Sequence, residues 1–232
     1  MRHRVLISRM IPPASLEIIT RECEPELNEA DVPLSKEELI ARLQNKEGLL
    51  CLLTDQIDEE ILAGASKLRV VANVAVGYDN IDAAAASRLG ILVTNTPGVL
   101  TETVADLAWA LLLAIGRRVV EGDRYVRSGQ WKEWKLGLML GSDIYGKTLG
   151  ILGFGRIGQA VARRATGFGM RILYYSRSRI APETEATLNA RYVSKEVLLK
   201  EADFVSLHLP LTPETTRFIA AEELARMKPT AY

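Results

Sequence analysis

Cysteine, histidine and aromatic residues are all scarce in this chain. Its 232 residues include two cysteines and two histidines, and aromatic side chains make up 6% of the total. Cys23 and Cys51 stand alone, without the paired spacing of a metal site, and two cysteines build no disulfide framework. Both read as buried thiols of a reducing compartment. Excess charge of either sign is missing too. Basic and acidic residues balance at 29 each, so the cationic surplus that drives nucleic-acid binding is absent and no nucleic-acid partner is expected. The most apolar run, Leu107–Gly116, is about half the length needed to cross a bilayer. The N-terminal "MRHRVLISRM" has too short an apolar stretch for a signal peptide. These absences predict a soluble, cytoplasmic protein with no membrane partner. Internal repeats and low-complexity segments are lacking as well.

What is present is an ordinary globular composition, 48% apolar and 25% charged, long enough for two modest domains or one large one. Short apolar runs alternate with helical patterns through the first hundred residues. "RVLIS", "GLLCLL", "LRVVANVAV" and "ILVTNTPG" read as strands. "SKEELIARLQ" opens on a serine cap, "DEEILAGA" on an aspartate cap, and "NIDAAAASRLG" ends at Gly90. Continuous apolar strands separated by helices predict a parallel sheet covered on both faces, closing near Pro97-Gly98.

"TETVADLAWALLLAIGRRV" follows, with Thr103 and Asp106 at capping-box spacing and three turns that are apolar on nearly every side. Such a helix needs cover all round. A homodimer contact through the Thr101–Gly116 region is expected, and a central core helix is the alternative. Residues 122–146 show no clean period, hold two of the three tryptophans and read as an irregular connection packed on the surface.

The chemistry concentrates further on. "KTLGIL" is a strand running directly into Gly153-Phe154-Gly155-Arg156-Ile157-Gly158. The helix behind it has apolar residues at Ile157, Ala160, Val161, Ala165 and Phe168, and Gly167 and Gly169 end it before the strand "RILYY". A GxGxxG alone is weak, but strand, glycine turn, helix and strand in about thirty residues form a βαβ dinucleotide unit. Gly153 permits the tight turn, Gly155 lets main chain approach a pyrophosphate, and Gly158 allows close helix–strand packing. The helix N-terminus adds unpaired N–H groups and its positive dipole end.

An Asp or Glu should end the second strand if a free ribose 2′-hydroxyl is to be bound. Ser176-Arg177-Ser178-Arg179 stands there instead. A hydroxyl and two guanidiniums suit a 2′-phosphate, so NADP(H) is expected in preference to NAD(H), with NAD(H) still possible. Arg177 is the stronger candidate because it lies nearer the strand end; two solvated surface arginines are the alternative. The strand Phe204–Leu209 should border the same crevice, with His208, Pro210 and Thr215 lining it. His208 reads as a packing or hydrogen-bonding group, because no acid is evidently placed to orient it. In the first domain Gly77 frees the backbone of "NVAVGYDN", so the N–H groups of Val76 and Gly77 could bind a small carboxylate; a plain turn reads equally well.

Taken together, "ANVAVGYDNID", "GILVTNTPGVLTETVADLAWALLLAIGRR", "VRSGQW", "YGKTLGILGFGRIGQAVARRATGFGMRILYYSRSR", "ADFVSLHLPLTPETT" and "MKPTA" resemble the D-isomer-specific 2-hydroxyacid dehydrogenases, in particular the archaeal-type glyoxylate/hydroxypyruvate reductases. The resemblance implies an α/β fold with a flavodoxin-like substrate-binding domain (residues 1–98) and a doubly wound Rossmann cofactor domain (residues 99–232), in a dimer built around the latter. By resemblance Val76 and Gly77 hold the carboxylate of a small 2-keto or 2-hydroxy acid, and Val104 lies against the nicotinamide. Phe154 to Ile157 bind pyrophosphate, Ser176 to Ser178 the adenosine ribose end, and His208, Pro210 and Thr215 border the cofactor. The implied activity is NAD(P)H-dependent reduction of glyoxylate or hydroxypyruvate. No catalytic residue is assigned within the chain, since the family's polarising Arg, orienting Glu and acidic His are expected beyond Tyr232. The cofactor domain is therefore read as truncated, the first domain as lacking its usual C-terminal return, and residues 1–232 alone as close to inactive. A formate or phosphonate dehydrogenase on the same scaffold, or a nucleotide-sensing module without catalysis, are the rival readings.

Overall fold

A computed structural model describes residues 2–232, and every strand pairing in it is parallel. The chain divides into two compact units, Met1–Val99 and Leu100–Tyr232. Among the described residues no helix is long and apolar enough to cross a membrane.

In the first unit the elements run β1 (His3–Ile7), α1 (Pro13–Glu22), β2 (Cys23–Leu27), α2 (Lys36–Leu43), β3 (Gly48–Cys51), α3 (Glu59–Gly64), β4 (Val70–Asn73), α4 (Ala83–Arg88) and β5 (Leu92–Thr94). The sheet order β2-β1-β3-β4-β5 is the flavodoxin-like order. Leu6, Leu49 and Val71 from the central strands meet Leu39, Leu43, Ile61 and Ala85 from the helices in one core. The caps read from sequence are formed. Ser35 Oγ accepts from Glu38 N at 3.2 Å while Ser35 N donates to Glu38 Oε2 at 2.8 Å. Asp58 accepts from Ile61 N, and Asp82, not singled out in the sequence, caps α4 in the same way by accepting from Ala85 N. Gly90 takes the left-handed conformation, φ +71°.

Two elements carried no readable period. Helix α1 buries none of its residues, so no apolar stripe marks it. Strand β2, "CEPEL", sits on the sheet edge, where a proline's missing donor and two glutamates are tolerated and discourage further pairing. Cys51 is buried, and burial pushes its thiol up to about 12; Cys23 is only half-buried, against the expectation of two buried thiols.

The second unit contains α5 (Thr101–Gly116), α6 (Val119–Arg127), β6 (Thr148–Leu152), α7 (Arg156–Thr166), β7 (Arg171–Tyr175), α8 (Pro182–Leu188), β8 (Ala190–Tyr192), α9 (Lys195–Glu201), β9 (Phe204–Leu207) and α10 (Ala221–Arg226). Its order β8-β7-β6-β9 is that of a doubly wound sheet on either side of its switch point. Strand β6 is buried at all five positions, as a central parallel strand must be. Tyr232 makes backbone hydrogen bonds to β9 and to the residue before it, through Val205 N to Tyr232 O at 2.9 Å and Tyr232 N to Asp203 O at 3.0 Å.

Three expectations change here. The capping box at Thr103 and Asp106 does not form: α5 starts at Thr101, its N-cap is Leu100, and no side chain caps it. Asp106 lies inside the helix and accepts from Arg164 Nε at 2.8 Å. The irregular segment is helical as far as Arg127, where α6 ends on an Asp123–Arg127 ion pair. Beyond it Trp131, Trp134, Leu136 and Leu140 are exposed rather than packed down. On α5 itself, Ala105, Trp109 and Gly116 face the core, and Trp109 stacks on Phe168 at 4.6 Å. Leu107, Leu111 and Ile115, each four residues apart, form an exposed stripe.

Candidate functional site

The glycine turn joins β6 to α7 at the C-terminal edge of the second sheet. Gly153 has φ +93°, and a Cβ there would lie 2.3 Å from His208 O. A Cβ on Gly158 would lie 2.2 Å from Gly153 O, so turn and helix touch main chain to main chain. Gly155 is different: nothing lies within 4 Å of the position its Cβ would take. Phe154 points inward, 3% exposed, and stacks on Tyr174 with ring centres 4.1 Å apart. The turn's own side chains therefore leave its outer face bare. Among the described residues the N–H groups of Gly155, Arg156 and Ile157 have no protein acceptor, and Arg156 is exposed. A bare surface, three free donors and the positive end of an eleven-residue helix make an anion cradle suited to a pyrophosphate.

The loop after β7 lies at the same sheet edge. Ser176 Oγ donates to Ser178 O at 2.5 Å, and Tyr192 OH donates to Ser176 O at 3.3 Å. Arg177 is exposed and, among the described residues, makes no side-chain hydrogen bond or ion pair. Arg179 is committed elsewhere, in a two-point ion pair with Glu185. The ranking of Arg177 above Arg179 expected from the sequence agrees with this difference, but its ground here is the Glu185 partner rather than distance from the strand end.

At the end of β9, His208 N donates to Leu152 O at 2.7 Å, and its Nε2 lies 2.8 Å from Ser206 Oγ. Burial pushes the imidazole below its usual range, and no carboxylate is among its partners. Thr215 Oγ1 donates to Pro210 O at 2.6 Å and accepts from Thr212 N at 2.8 Å, which locks residues 210–215 into a turn. Glu214 in that turn is held below the usual carboxylate range by hydrogen bonds to Thr212 and to its own backbone. The positive charge of Arg177 lowers it slightly further. Val104 is half-buried early in α5, whose Glu102 and Asp106 pair with Arg163 and Arg164 of α7.

In the first unit, the loop after β4 hangs on two buried asparagines that sequence reasoning passed over. Asn73 Nδ2 donates to Gly77 O and to Asn80 Oδ1, both at 2.9 Å. Asn80 Nδ2 donates to Asp55 O at 2.9 Å and Leu52 O at 3.1 Å, tying this loop to the one after β3. Asn95 Nδ2 takes Val76 O at 2.8 Å. The carbonyls of Val76 and Gly77 are thus both occupied, while their N–H groups have no protein acceptor among the described residues. The signal for Asn73 was an amide inside the apolar strand "RVVANVAV", since a buried polar group must find partners.

These features define a dinucleotide-binding α/β protein with a second, flavodoxin-like unit. Residues 109–232 match the model of the D-isomer specific 2-hydroxyacid dehydrogenase, NAD binding domain. A glyoxylate reductase of Korarchaeum cryptofilum is 56% identical over all 232 residues, which span 70% of its length. The TT0316 protein of Thermus thermophilus superposes with a TM-score of 0.88 at 48% identity, covering 97% of this chain and 70% of that one. An acyclic imino acid reductase solved with NADPH and D-Arg, 28% identical, gives 0.87 over 98% of this chain and 72% of that one. The chain belongs to the D-isomer-specific 2-hydroxyacid dehydrogenase family, an oxidoreductase family that uses a nicotinamide cofactor.

Proposed function

We propose that this chain binds NADPH in its second unit and the carboxylate of glyoxylate or hydroxypyruvate in its first, for reduction to glycolate or D-glycerate. The observation that carries the reading is the bare glycine cradle with an unpaired Arg177 beside it. The cofactor, when bound, supplies the hydride. Gly155, Arg156 and Ile157 hold the pyrophosphate through main chain, Arg177 with Ser176 and Ser178 meets a 2′-phosphate, and Val76 and Gly77 donate to the substrate carboxylate. The glyoxylate reductase relatives support the substrate class. The neighbour solved with NADPH supports the phosphate reading.

His208 does not act as the proton donor in this reading, because its half-buried ring rests on Ser206 and favours the neutral form. In calorimetric titrations Arg177→Ala should weaken NADPH by about 10- to 100-fold, the loss of one charge-assisted contact, and NADH by less than about two-fold. Equal losses for both nucleotides would remove the phosphate assignment.

The same reading includes a homodimer. The Leu107, Leu111 and Ile115 stripe, together with Trp131, Trp134, Leu136 and Leu140, is more exposed apolar surface than scattered surface residues provide. Sedimentation velocity should show twice the chain mass, and Leu111→Asp should return it to the chain mass. A monomeric wild type would end this part of the reading.

A further inference from the structure

The loop after β7 carries two guanidiniums, and a buried acid occupies one of them. Arg179 donates from Nε to Glu185 Oε1 at 2.9 Å and from Nη2 to Glu185 Oε2 at 2.7 Å, a bidentate fork. Glu185 sits on α8 and is only 8% exposed. Its Oε1 also accepts from Tyr174 OH at 2.6 Å, and that phenol oxygen accepts from Ile180 N at 3.1 Å. Tyr174 is fully buried between Phe154 of the glycine turn and Tyr192. The Arg179 head group is thus drawn back onto a rigid tyrosine–glutamate pair, and the loop is pinned at Ile180. Arg177, two residues earlier, is outside this network.

We infer that Glu185 is a positioning residue that sets cofactor selectivity: by holding Arg179 against α8, it withholds that guanidinium from a bound 2′-phosphate and moderates discrimination between NADPH and NADH. The inference rests on the reading that Arg177 meets the phosphate. The Arg179–Glu185 pair is neutral as a unit, so an incoming phosphate faces one net charge from this loop instead of two. Gln at position 185 would keep an oxygen for the Tyr174 hydroxyl, remove the negative charge and free Arg179 to swing toward the phosphate.

The test is calorimetric titration of the full 232-residue chain with NADPH and with NADH at one fixed ionic strength. Glu185→Gln should raise the NADPH:NADH affinity ratio by about five- to ten-fold, as expected for one added charge-assisted contact in a partly screened site, with NADH itself nearly unchanged. The double variant E185Q/R179M should return to the wild-type ratio, because the gain belongs to the released arginine. An unchanged or lowered ratio in E185Q, or a gain that persists in the double variant, overturns the inference. Should E185Q fail to fold, the double variant E185M/R179M, which removes the neutral pair together, decides. Removing an arginine already withheld should lower the ratio by less than about three-fold, and a larger fall shows that Arg179 reads the phosphate directly. R177A in the same series separates the two levels. If R177A loses NADPH affinity selectively and E185Q is silent, only the role of Glu185 falls; if R177A weakens both nucleotides equally, the phosphate reading falls with it.

Discussion

Gly155→Ser should leave the second unit folded and strip it of nucleotide binding, whereas Gly158→Ala should damage both. The two glycines are three residues apart, yet their missing side chains face different things. At Gly158 a methyl would sit 2.2 Å from the Gly153 carbonyl oxygen and 3.2 Å from Ile151 Cγ2, so β6 and α7 must separate. Overpacking against main chain should cost about 3 kcal/mol and lower the melting temperature accordingly. At Gly155 there is empty space, and the residue is the N-cap of α7. Serine is among the preferred N-caps, so the helix should be as stable as before or slightly more so. Its Oγ would instead occupy the cradle and compete for the donors that a pyrophosphate needs. Losing about two charge-assisted hydrogen bonds, about 3 kcal/mol in all, corresponds to roughly 100-fold in affinity. Thermal melts and nucleotide titrations on both variants check the pair. A Gly155→Ser protein that binds NADPH within three-fold of wild type would show that the nucleotide does not lie on this turn.

Asn73→Asp should be the most damaging isosteric change in the first unit. The orientation of each amide is determined by its neighbours. Asn80 must turn its NH2 toward Leu52 O and Asp55 O, which leaves its Oδ1 facing Asn73, and Asn73 must then present its own NH2 to that oxygen and to Gly77 O. An aspartate there would aim an ionised, buried carboxylate at two acceptors. Breaking such a network by leaving one charge unpaired costs about 3–5 kcal/mol. The loop bearing the Val76 and Gly77 donors would lose its anchor, and binding of glyoxylate or oxalate should vanish. NADPH affinity, which belongs to the other unit, should be retained. Carboxylate titration followed by NMR, with NADPH calorimetry on the same sample, checks this. Unchanged carboxylate binding in Asn73→Asp would mean that the asparagine pair does not hold the cradle.

How far the sequence could be read depended on how local each signal was. The β6–turn–α7 segment was legible because strand, glycines and helix follow one another without a break, and burial at every position of β6 is written as an unbroken apolar run. The caps at Ser35 and Asp58 were legible for the same reason. Helix α1 and strand β2 were not, because one buries nothing and the other is an edge with proline and two glutamates. The capping box at Thr103 was misread because the local spacing was right but Asp106 had a stronger partner in Arg164, 58 residues away. The Arg179–Glu185–Tyr174 network escaped in the same way: a guanidinium's availability depends on which acid the fold brings to it, and spacing along the chain does not show that. Position 176 and its neighbours, and the preference for Arg177, could be located from sequence, while the acid that occupies Arg179 could not.

The placement of the three tryptophans has a practical consequence. Trp109 is packed against Phe168 inside the second unit, while Trp131 and Trp134 face water on the segment after α6, and the first unit has none. Indole emission is thus a two-colour optical gauge of one half of the molecule, blue-shifted from the stacked ring and red-shifted from the solvated pair. Melting of the flavodoxin-like half would pass unseen in that signal and should be followed instead through the backbone.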